Sequence, residues 1–464
     1  MALRVARDRQ AAARGTRGRL GQVHGALGER ERSLVDGAGY LELGRRAAAA
    51  QALRRLGAIF GVGSALWVPV ACAPARRPTP LPEAAEVRAL WVVRSTLADP
   101  DSARAMVRRA AEAGFNTLIV QVRGRGDAYY RSRWEPPPPA LTGRHHYDPL
   151  ERTIREAHRR GLRVHAWINT ELVANADTLP QDSAHFVYRR PDLLAVPRPL
   201  AHELYGADPR DPHYLQALAE YARANRDHVE GLYTSPAAPE VKEHIYSVWI
   251  DLVERYELDG LHFDYVRYPA PDYDYSRVAL ERFRDWLVPT LPDSVRARFE
   301  GVEPADPLVY SDSFPNAWDR FRRLQITELV ERIYYGVKQR NPRLVVSAAV
   351  FGDAENAYAS RFQDWRDWLR RGILDVACPM AYTDSTELFR ERIRTAVETA
   401  GGARVWAGIG AYKNTVEGTV EQIGVARGLG AAGVVLFSYD FMARHEGMRP
   451  GESYLLAVRD RAFP

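Results

Sequence analysis

The stretch "DPLERTIREAHRRGLRVHAWINT", residues 148–170, contains the unit from which the fold of this 464-residue chain can be predicted. Asp148 and Pro149 are typical of the start of a helix, and Gly161 is typical of its end. The run that follows, residues 162–170, is largely apolar and predicts a strand that is buried on both faces. A helix that leads into a buried strand is the unit of a parallel α/β fold.

Eight apolar segments along the chain predict strands, and helical stretches separate them. The segments are residues 87–95, 115–123, 162–170, 258–266, 343–352, 374–383, 403–412 and 432–441. Strict alternation of strand and helix implies parallel pairing with right-handed crossovers. Because there are eight units, and because no glycine-rich nucleotide loop follows the first strand, we predict a closed (β/α)₈ TIM barrel rather than a doubly wound sheet.

The predicted barrel carries two long insertions, residues 171–241 after the third strand and residues 270–315 after the fourth. Both insertions leave from the carboxyl ends of strands. TIM-barrel proteins build their active sites from loops at that end. We therefore expect the insertions to contribute to a substrate-binding cleft.

The first 81 residues differ in composition from the predicted barrel, residues 82–464. They contain 14 Arg and five Asp or Glu, a net charge of +9, whereas the remaining 50 basic and 54 acidic side chains give −4. The basic balance therefore belongs to the N-terminal region, and no nucleic-acid surface is predicted. Arg54 and Arg55 precede a short apolar run that ends at Cys72, which is typical of a secretory signal or a bacterial lipoprotein signal. We expect a secreted or lipid-anchored protein in the cell envelope, on the membrane through Cys72 if that residue is acylated.

The chain has only two cysteines and lacks a His-x-Glu-x-x-His motif. This pattern predicts neither a disulfide framework nor a metal site, and no cofactor is expected. A Gly-x-Ser-x-Gly elbow is also absent, which argues against serine-nucleophile catalysis.

A histidine and a carboxylate stand at the end of the fourth strand, in "DGLHFDYVRYP", residues 259–269. His262 and Asp264 are two residues apart, so their side chains point to the same side of the strand. A buried carboxylate at this position is costly unless it is paired, hydrated or functional. Asp264 is therefore our first candidate for a catalytic group, and a salt bridge to Arg267 or to an arginine of a neighbouring strand is the structural alternative.

Polar and aromatic residues also occur at or near the ends of the other predicted strands. Carboxylates, amides and aromatic rings around one concave mouth are typical of a sugar-binding site. The residues that we expect to bind substrate are Arg94, Gln121, Arg123, His165, Trp167, Asn169, His262, Arg267, Tyr268, Tyr382, Trp406 and Tyr439.

Five ordered motifs resemble the glycosyl hydrolase-like ten family over about residues 87–441. They are "VRALWVVRS", "GFNTLIVQVRGRGDAYYRS", "YDPLERTIREAHRRGLRVHAWIN", "LDGLHFDYVRYP" and "GVVLFSYD". The resemblance implies a (β/α)₈ barrel that acts on glycans, often in a bacterial envelope lipoprotein, and for some members the cleavage of peptide-free peptidoglycan strands. It also implies site roles for Arg94, Gln121, Arg123, His165, Trp167, Asn169, His262, Asp264 and Tyr382. Tyr265 stands where the family commonly has a second Asp.

Glycoside hydrolysis usually requires two carboxyl groups, one protonated and one ionised. Asp264 is the candidate for one of them, and Glu171, Asp353 and Asp384 are the candidates for the other. We favour Glu171, because it replaces a family residue just beyond a strand of the site. The alternatives are a glycan-binding barrel without catalysis, and a polysaccharide deacetylase or lyase. The oligomeric state is not predicted.

Overall fold

A computed structural model describes residues 86–144, 146–299, 302, 306–400, 404–444 and 453–463. The signal segment, Cys72 and the domain boundary predicted after residue 81 lie outside these residues. Residues 86–290 and 303–464 form one compact unit, which contains the barrel. The helix Asp293–Phe299 belongs to a second unit. No helix within the described ranges combines the length and the hydropathy that a membrane span requires.

Ten strands, numbered here in chain order, occur in the described residues. They are β1 Val87–Val92, β2 Thr117–Arg123, β3 Arg163–Asn169, β4 Leu172–Ala174, β5 Leu232–Tyr233, β6 Gly260–Asp264, β7 Val345–Phe351, β8 Val376–Met380, β9 Arg404–Gly410 and β10 Gly433–Phe437. Eight of them form a closed barrel in the order β1-β10-β9-β8-β7-β6-β3-β2, and every neighbouring pair is parallel. The remaining two, β4 and β5, form an antiparallel pair. The predicted (β/α)₈ barrel is confirmed.

Helices separate the barrel strands, as the sequence pattern predicts. Those of the barrel unit are Arg94–Leu97, Pro100–Glu112, Pro149–His158, Phe186–Arg189, Ala201–Leu204, Pro212–Ala224, Pro239–Arg255, Arg277–Leu287, Val309–Ser313, Pro315–Arg340, Ala354–Ser360, Trp365–Arg371, Thr386–Ala400, Val416–Gly428, Tyr439–Arg444 and Tyr454–Ala462. Asp148 caps its helix, because its carboxylate accepts a hydrogen bond of 3.0 Å from the backbone N–H of Glu151. Gly161 follows with a φ of +72°, a conformation that favours glycine at a helix end.

The observed strands are shorter than the predicted segments, and at two of them an α-helix replaces the predicted end of the strand. β1 ends at Val92, so that Arg94 begins a short helix, and β10 ends at Phe437, so that Tyr439 begins another. The carboxylate of Asp440 fixes both turns, because it accepts a 2.7 Å hydrogen bond from the backbone N–H of Val93 and contacts the Thr96 hydroxyl. This link joins the loops that follow the first and last strands of the closed barrel.

Large side chains fill the interior of the barrel. Trp91, Trp167 and Trp406 pack there with apolar residues of the other strands. Glycine provides the room: a Cβ atom at Gly260 would lie 2.6 Å from the imidazole of His165. The interior is therefore a packed core, and a substrate can enter only at the mouth formed by the strand ends.

Candidate active site

Asp264 is the last residue of β6 and lies at the mouth of the barrel, where it is 6% exposed. The neighbouring strand β3 places Trp167 beside it, and the indole N–H donates a hydrogen bond of 3.1 Å to Oδ2. Oδ1 accepts hydrogen bonds from the backbone N–H of Tyr265, at 2.7 Å, and from Nη1 of Arg267, at 3.2 Å. The predicted side-chain direction and the alternative salt bridge to Arg267 are therefore both present.

Burial raises the pKa of the Asp264 carboxyl above its ordinary value. The charge of Arg267 and the hydrogen bond from Tyr265 oppose this shift, whereas the nearby carboxylate of Glu230 adds to it. The three donors do not fully compensate for the loss of water around the charged form. Asp264 thus holds a proton at higher pH than an ordinary aspartate does.

Arg267 connects Asp264 to a second carboxylate, that of Glu230. The guanidinium is buried, and its Nη2 lies 3.5 Å from Oε1 of Glu230. The phenol of Tyr233 donates a 2.6 Å hydrogen bond to the other oxygen of Glu230. The side chain of Glu230 is one-third exposed. Because both carboxylates contact one guanidinium, they lie near each other at the mouth of the barrel.

Glu230 was not identified from the sequence. It lies within the insertion after β3, in the turn before the short strand β5, and no strand end or motif marks it. Only the tertiary contact with Arg267 brings it to the mouth of the barrel.

Tyr265, which follows Asp264, has a φ of +50°. A bulky residue in this left-handed region is unusual and is held there by its surroundings. The guanidinium of Arg267 lies 4.1 Å from the centre of the Tyr265 ring. The turn therefore allows Arg267 to approach both the ring of Tyr265 and the carboxylate of Asp264.

Aromatic rings form one wall of the mouth. Tyr382 stacks on Phe437 with ring centres 5.5 Å apart, and Tyr412 contacts both rings at about right angles. Burial raises the pKa of the Tyr382 phenol well above its usual range, and the charge of nearby Asp264 adds to the shift. Because Tyr412 is 44% exposed, this wall offers a surface on which a sugar ring can stack.

A chain of hydrogen bonds joins three of the residues predicted to bind substrate. Nη1 of Arg94 donates to the side-chain oxygen of Gln121 at 2.9 Å, and the Gln121 amide donates to Asn169 at 3.2 Å. Asn169 in turn donates to the backbone oxygen of Gly124 at 2.8 Å. The chain holds the half-buried Arg94 in position at the mouth.

The two predicted histidines lie inside the barrel, without exposed surface for a ligand. Nε2 of His262 accepts a 3.0 Å hydrogen bond from the Trp91 indole, so Nδ1 carries the proton and donates to Ser347 at 2.8 Å. Burial lowers the pKa of His262 well below its usual range and that of His165 to about 3. His165 packs against Trp406, with ring centres 5.5 Å apart. His165 and His262 therefore pack inside the barrel beneath the strand ends.

Arg123 is fully buried and pairs with Glu135. Its Nε and Nη2 atoms donate to both carboxylate oxygens at 2.7–2.9 Å, and His244 contacts Oε1 of Glu135 at 3.0 Å. Burial alone would raise the pKa of Glu135, but Arg123 and His244 outweigh it and hold that pKa well below its usual range. The remaining Arg123 nitrogen donates to the backbone oxygens of residues 169 and 170, so Arg123 braces the end of β3.

Two predicted tyrosines point away from Asp264. Tyr268 is buried against Phe362, with ring centres 5.4 Å apart. Tyr439 is buried beside Arg109 of the helix Pro100–Glu112. The prediction for Tyr439 assumed a strand that continued to residue 441, and the early end of β10 redirects its side chain.

The three carboxylates predicted as partners of Asp264 lie in different surroundings. Glu171 is fully buried, where its Oε2 accepts a 2.5 Å hydrogen bond from Thr234 and burial raises its pKa to about 7. Asp353 is exposed and caps the helix Ala354–Ser360, and Asp384 is also exposed. Among the described residues, Arg267 contacts the carboxylates of Asp264 and Glu230. It forms no such contact with Glu171, Asp353 or Asp384.

A parallel eight-stranded barrel with paired carboxyl groups and aromatic rings at its mouth has the architecture of a glycoside hydrolase. The chain belongs to the glycosyl hydrolase-like 10 family, which it matches over residues 86–412.

Individual relatives are distant. Glycosyl hydrolase YngK of Bacillus subtilis is 26% identical over 290 residues, which are 58% of this chain and 46% of that protein. Glycosyl hydrolase DigH of Escherichia coli K12 is 26% identical over 289 residues, 58% of this chain and 55% of that protein. The chain thus spans about half the length of these curated relatives. The PgaB (BpsB) glycoside hydrolase domain of Bordetella bronchiseptica shares the fold, with a TM-score of 0.55, 17% identity, and coverage of 82% of this chain and 99% of that domain.

Proposed function

We propose that this chain hydrolyses glycosidic bonds and that Asp264 and Glu230 are the two carboxyl groups of the reaction. The observation that carries the proposal is the guanidinium of Arg267, which contacts one oxygen of each. Asp264 is buried and has a raised pKa, which suits a proton donor. Glu230 is one-third exposed, which suits the ionised partner.

In the proposed reaction, Asp264 gives its proton to the glycosidic oxygen while the bond from that oxygen to the anomeric carbon breaks. Glu230 either attacks the anomeric carbon to form a glycosyl ester, which water then hydrolyses as Asp264 takes a proton from it, or removes a proton from a water molecule that attacks the anomeric carbon. The hydrogen bonds from Trp167 and Arg267 stabilise Asp264 as its carboxylate forms. The same two hydrogen bonds keep the Asp264 carboxylate ionised until it takes up a proton again.

The walls of the mouth supply binding contacts for the sugar. The exposed ring of Tyr412 and the half-buried rings of Tyr382 and Phe437 suit stacking on a pyranose face. On another side, Arg94 brings donor groups to the mouth. These contacts would orient a glycan chain across Asp264.

A glycan-binding barrel without catalysis is the second candidate, and one observation favours it. Arg267 forms ion pairs with both carboxylates, and such a network can stabilise the fold without any proton transfer. This alternative requires binding of a glycan without any cleavage product.

We further propose that the substrate is a bacterial envelope glycan, with peptide-free peptidoglycan strands as the first to test, and that the protein is secreted or anchored at Cys72. The basic flank and apolar run that end at Cys72 support this location. If Cys72 is acylated, Cys72→Ala should move the protein from the membrane fraction to the soluble fraction. Full-length, uncleaved protein in the cytosol would contradict the proposed location.

The function is tested by incubating the full chain with a panel of bacterial glycans and analysing the products by mass spectrometry. The proposal expects shortened glycans with new reducing ends from the wild type and none from Asp264→Asn at equal protein concentration. Binding of a glycan without products from the wild type would support the non-catalytic barrel instead.

A further inference from the structure

Glu171 joins the two chain segments that carry Asp264 and Glu230. Its backbone N–H donates a hydrogen bond of 3.1 Å to the backbone oxygen of Tyr265, in the turn after Asp264. Its backbone oxygen accepts a 2.9 Å hydrogen bond from the backbone N–H of Thr234. Thr234 directly follows β5, and Glu230 lies just before that strand. One residue therefore contacts both segments from which the proposed catalytic carboxylates project.

The carboxyl group of Glu171 makes a second contact with Thr234. The hydroxyl oxygen of Thr234 lies 2.5 Å from Oε2 of Glu171 and 3.2 Å from the backbone oxygen of the same residue. Because a hydroxyl has one proton, it can donate fully to only one of these oxygens. When Glu171 is protonated, Oε2 donates to the hydroxyl and the hydroxyl donates to the backbone oxygen. The protonated form therefore satisfies both contacts, whereas the ionised form satisfies one.

The ionised form of Glu171 lacks donors. Its Oε1 atom is buried, and no donor among the described residues contacts it. Arg123 donates instead to Glu135 and to backbone oxygens at the end of β3. Lys242 donates at 2.8 Å to two side chains of the helix Pro315–Arg340. Neither of these nearby cations is thus bound to the Glu171 carboxylate.

The electrostatic surroundings also favour the protonated form. The titratable groups that interact with Glu171 are Arg123, Lys242, Asp274 and Tyr268. Burial raises the pKa of Glu171 to about 7, and the charge of the buried Asp274 adds to the rise. The hydrogen bond from Thr234 and the charges of Arg123 and Lys242 oppose this rise without cancelling it. Glu171 therefore keeps its proton to about neutral pH.

The segment between Thr234 and Glu230 is tightly packed. Its strand β5 pairs with β4, and a Cβ atom at Gly231 would overlap the backbone oxygen of Ala174. The phenol of Tyr233 then holds the carboxylate of Glu230. Because Thr234 is only four residues from Glu230 on this packed segment, a displacement at Thr234 should also displace Glu230.

We propose that Glu171 is a positioning residue: its protonated carboxyl group holds the segment that carries Glu230 opposite Asp264, and its ionisation at alkaline pH releases this segment. The inference rests on the proposed function, since it concerns the placement of Glu230. Glu171 itself is fully buried and acts only through Thr234. Its folded-state pKa is raised, so its contribution to stability is present below the unfolded pKa of about 4.3 and is lost as the pH rises through the folded pKa of about 7.

The first measurement is hydrogen exchange of the backbone amides of residues 230–235 in the full chain. Wild type and Glu171→Gln are compared at the same pH; glutamine keeps the size and a hydrogen bond to Thr234 but cannot ionise. Between pH 5 and pH 8, exchange in the wild type relative to the variant should rise by at least about tenfold, because ionisation favours local opening. The control Glu220→Gln, which alters an exposed carboxylate of the same insertion, should exchange like the wild type.

The second measurement is the profile of kcat/KM against pH, from the release of new reducing ends. In the wild type both Asp264 and Glu171 must keep a proton, so log kcat/KM should fall at alkaline pH with a slope of about −2. In Glu171→Gln only Asp264 remains, and a slope of about −1 is expected. A purely structural role of Glu171 would leave the two slopes equal.

A ratio of exchange rates that does not change between pH 5 and pH 8 would overturn the inference. If Glu171→Gln does not fold, Thr234→Val removes the hydroxyl and keeps the shape; exchange of residues 230–235 no faster than in the wild type at pH 5 would then overturn it. Cleavage with equal alkaline slopes would refute the role of Glu171 and leave hydrolysis intact. A ratio that rises with pH, without any cleavage by the wild type, would refute hydrolysis and leave the pH-dependent contact between Glu171 and Thr234 intact.

Discussion

Glu135 and Asp264 are both buried carboxylates that contact an arginine, yet their pKa values shift in opposite directions. Glu135 receives two nitrogens of the Arg123 guanidinium, Nε and Nη2, and a contact from His244. Asp264 receives one nitrogen of Arg267, which also contacts Glu230. The comparison shows that burial beside an arginine does not define a role: a fully paired carboxylate stabilises the fold, whereas an incompletely paired one remains able to exchange a proton.

The largest effect is expected for Asp264→Asn on activity. Asparagine keeps the size of the side chain and one accepting oxygen but cannot transfer a proton. General acid–base catalysis contributes about 10²–10⁴-fold, so kcat/KM should fall by at least about 10²-fold. The measurement is the release of new reducing ends at equal protein concentration, with Asp384→Asn, which changes an exposed aspartate in the loop after β8, as the matched control. Equal rates for Asp264→Asn and wild type would remove Asp264 from the mechanism.

Glu135→Gln should affect stability instead. It leaves the buried Arg123 without its counter-charge, and breaking a buried ion pair on one side costs about 3–5 kcal/mol. The folded-state pKa of Glu135 is lowered, so its contribution is present above the unfolded pKa of about 4.3 and is lost as the pH falls through the folded pKa. Urea unfolding at pH 7 and at pH 3 should therefore show a difference between wild type and variant that shrinks in acid. A variant as stable as the wild type at pH 7 would contradict this role.

Glu230→Gln tests the second carboxyl group. The loss of its charge should reduce kcat/KM by about 10²-fold and lower the pKa of Asp264, because Glu230 raises that pKa in the wild type. Glu112→Gln, which alters an exposed carboxylate of a peripheral helix, serves as the control. If Glu171→Gln abolished activity while Glu230→Gln did not, the carboxylate preferred from the sequence would replace Glu230 in the mechanism.

Trp167→Phe should have the smallest effect. It removes the indole N–H that donates to Asp264 and thereby removes support for the ionised form. The pKa of Asp264 should rise further, and the corresponding limb of the profile of kcat/KM against pH should move to higher pH with it. An unchanged profile would show that this hydrogen bond does not tune Asp264.

The sequence was sufficient to predict the barrel and the position of Asp264. Helices that begin with Asp-Pro and end with Gly, such as the one from Pro149 to His158, separate apolar strands in a regular order, and strand ends define the mouth. Alternation along β3 also indicates that His165 and Trp167 point inward. It does not give their depth, and only Trp167 is near enough to the mouth to reach Asp264.

Two features of the site depend on contacts that no local pattern specifies. Glu230 reaches Arg267 through the folding of a long insertion, and Arg267 reaches Asp264 through a turn in which Tyr265 has a positive φ. Tyr439 shows the reverse problem, since its predicted place depended on where β10 ends. Residues positioned by a strand, and the nearby Arg267, were therefore predictable, whereas Glu230 in the long insertion was not.

The most direct test of the difference between the two pairs is the free energy of unfolding of Asp264→Asn at pH 7. The folded-state pKa of Asp264 is raised, so its contribution to stability is present below the unfolded pKa and is lost as the pH rises through the folded pKa. At pH 7 an uncharged asparagine avoids the burial of a charge, and we predict a variant at least as stable as the wild type although it is inactive. A loss of about 3–5 kcal/mol would show that Asp264 and Arg267 form a structural ion pair like that of Glu135 and Arg123, and would contradict the account.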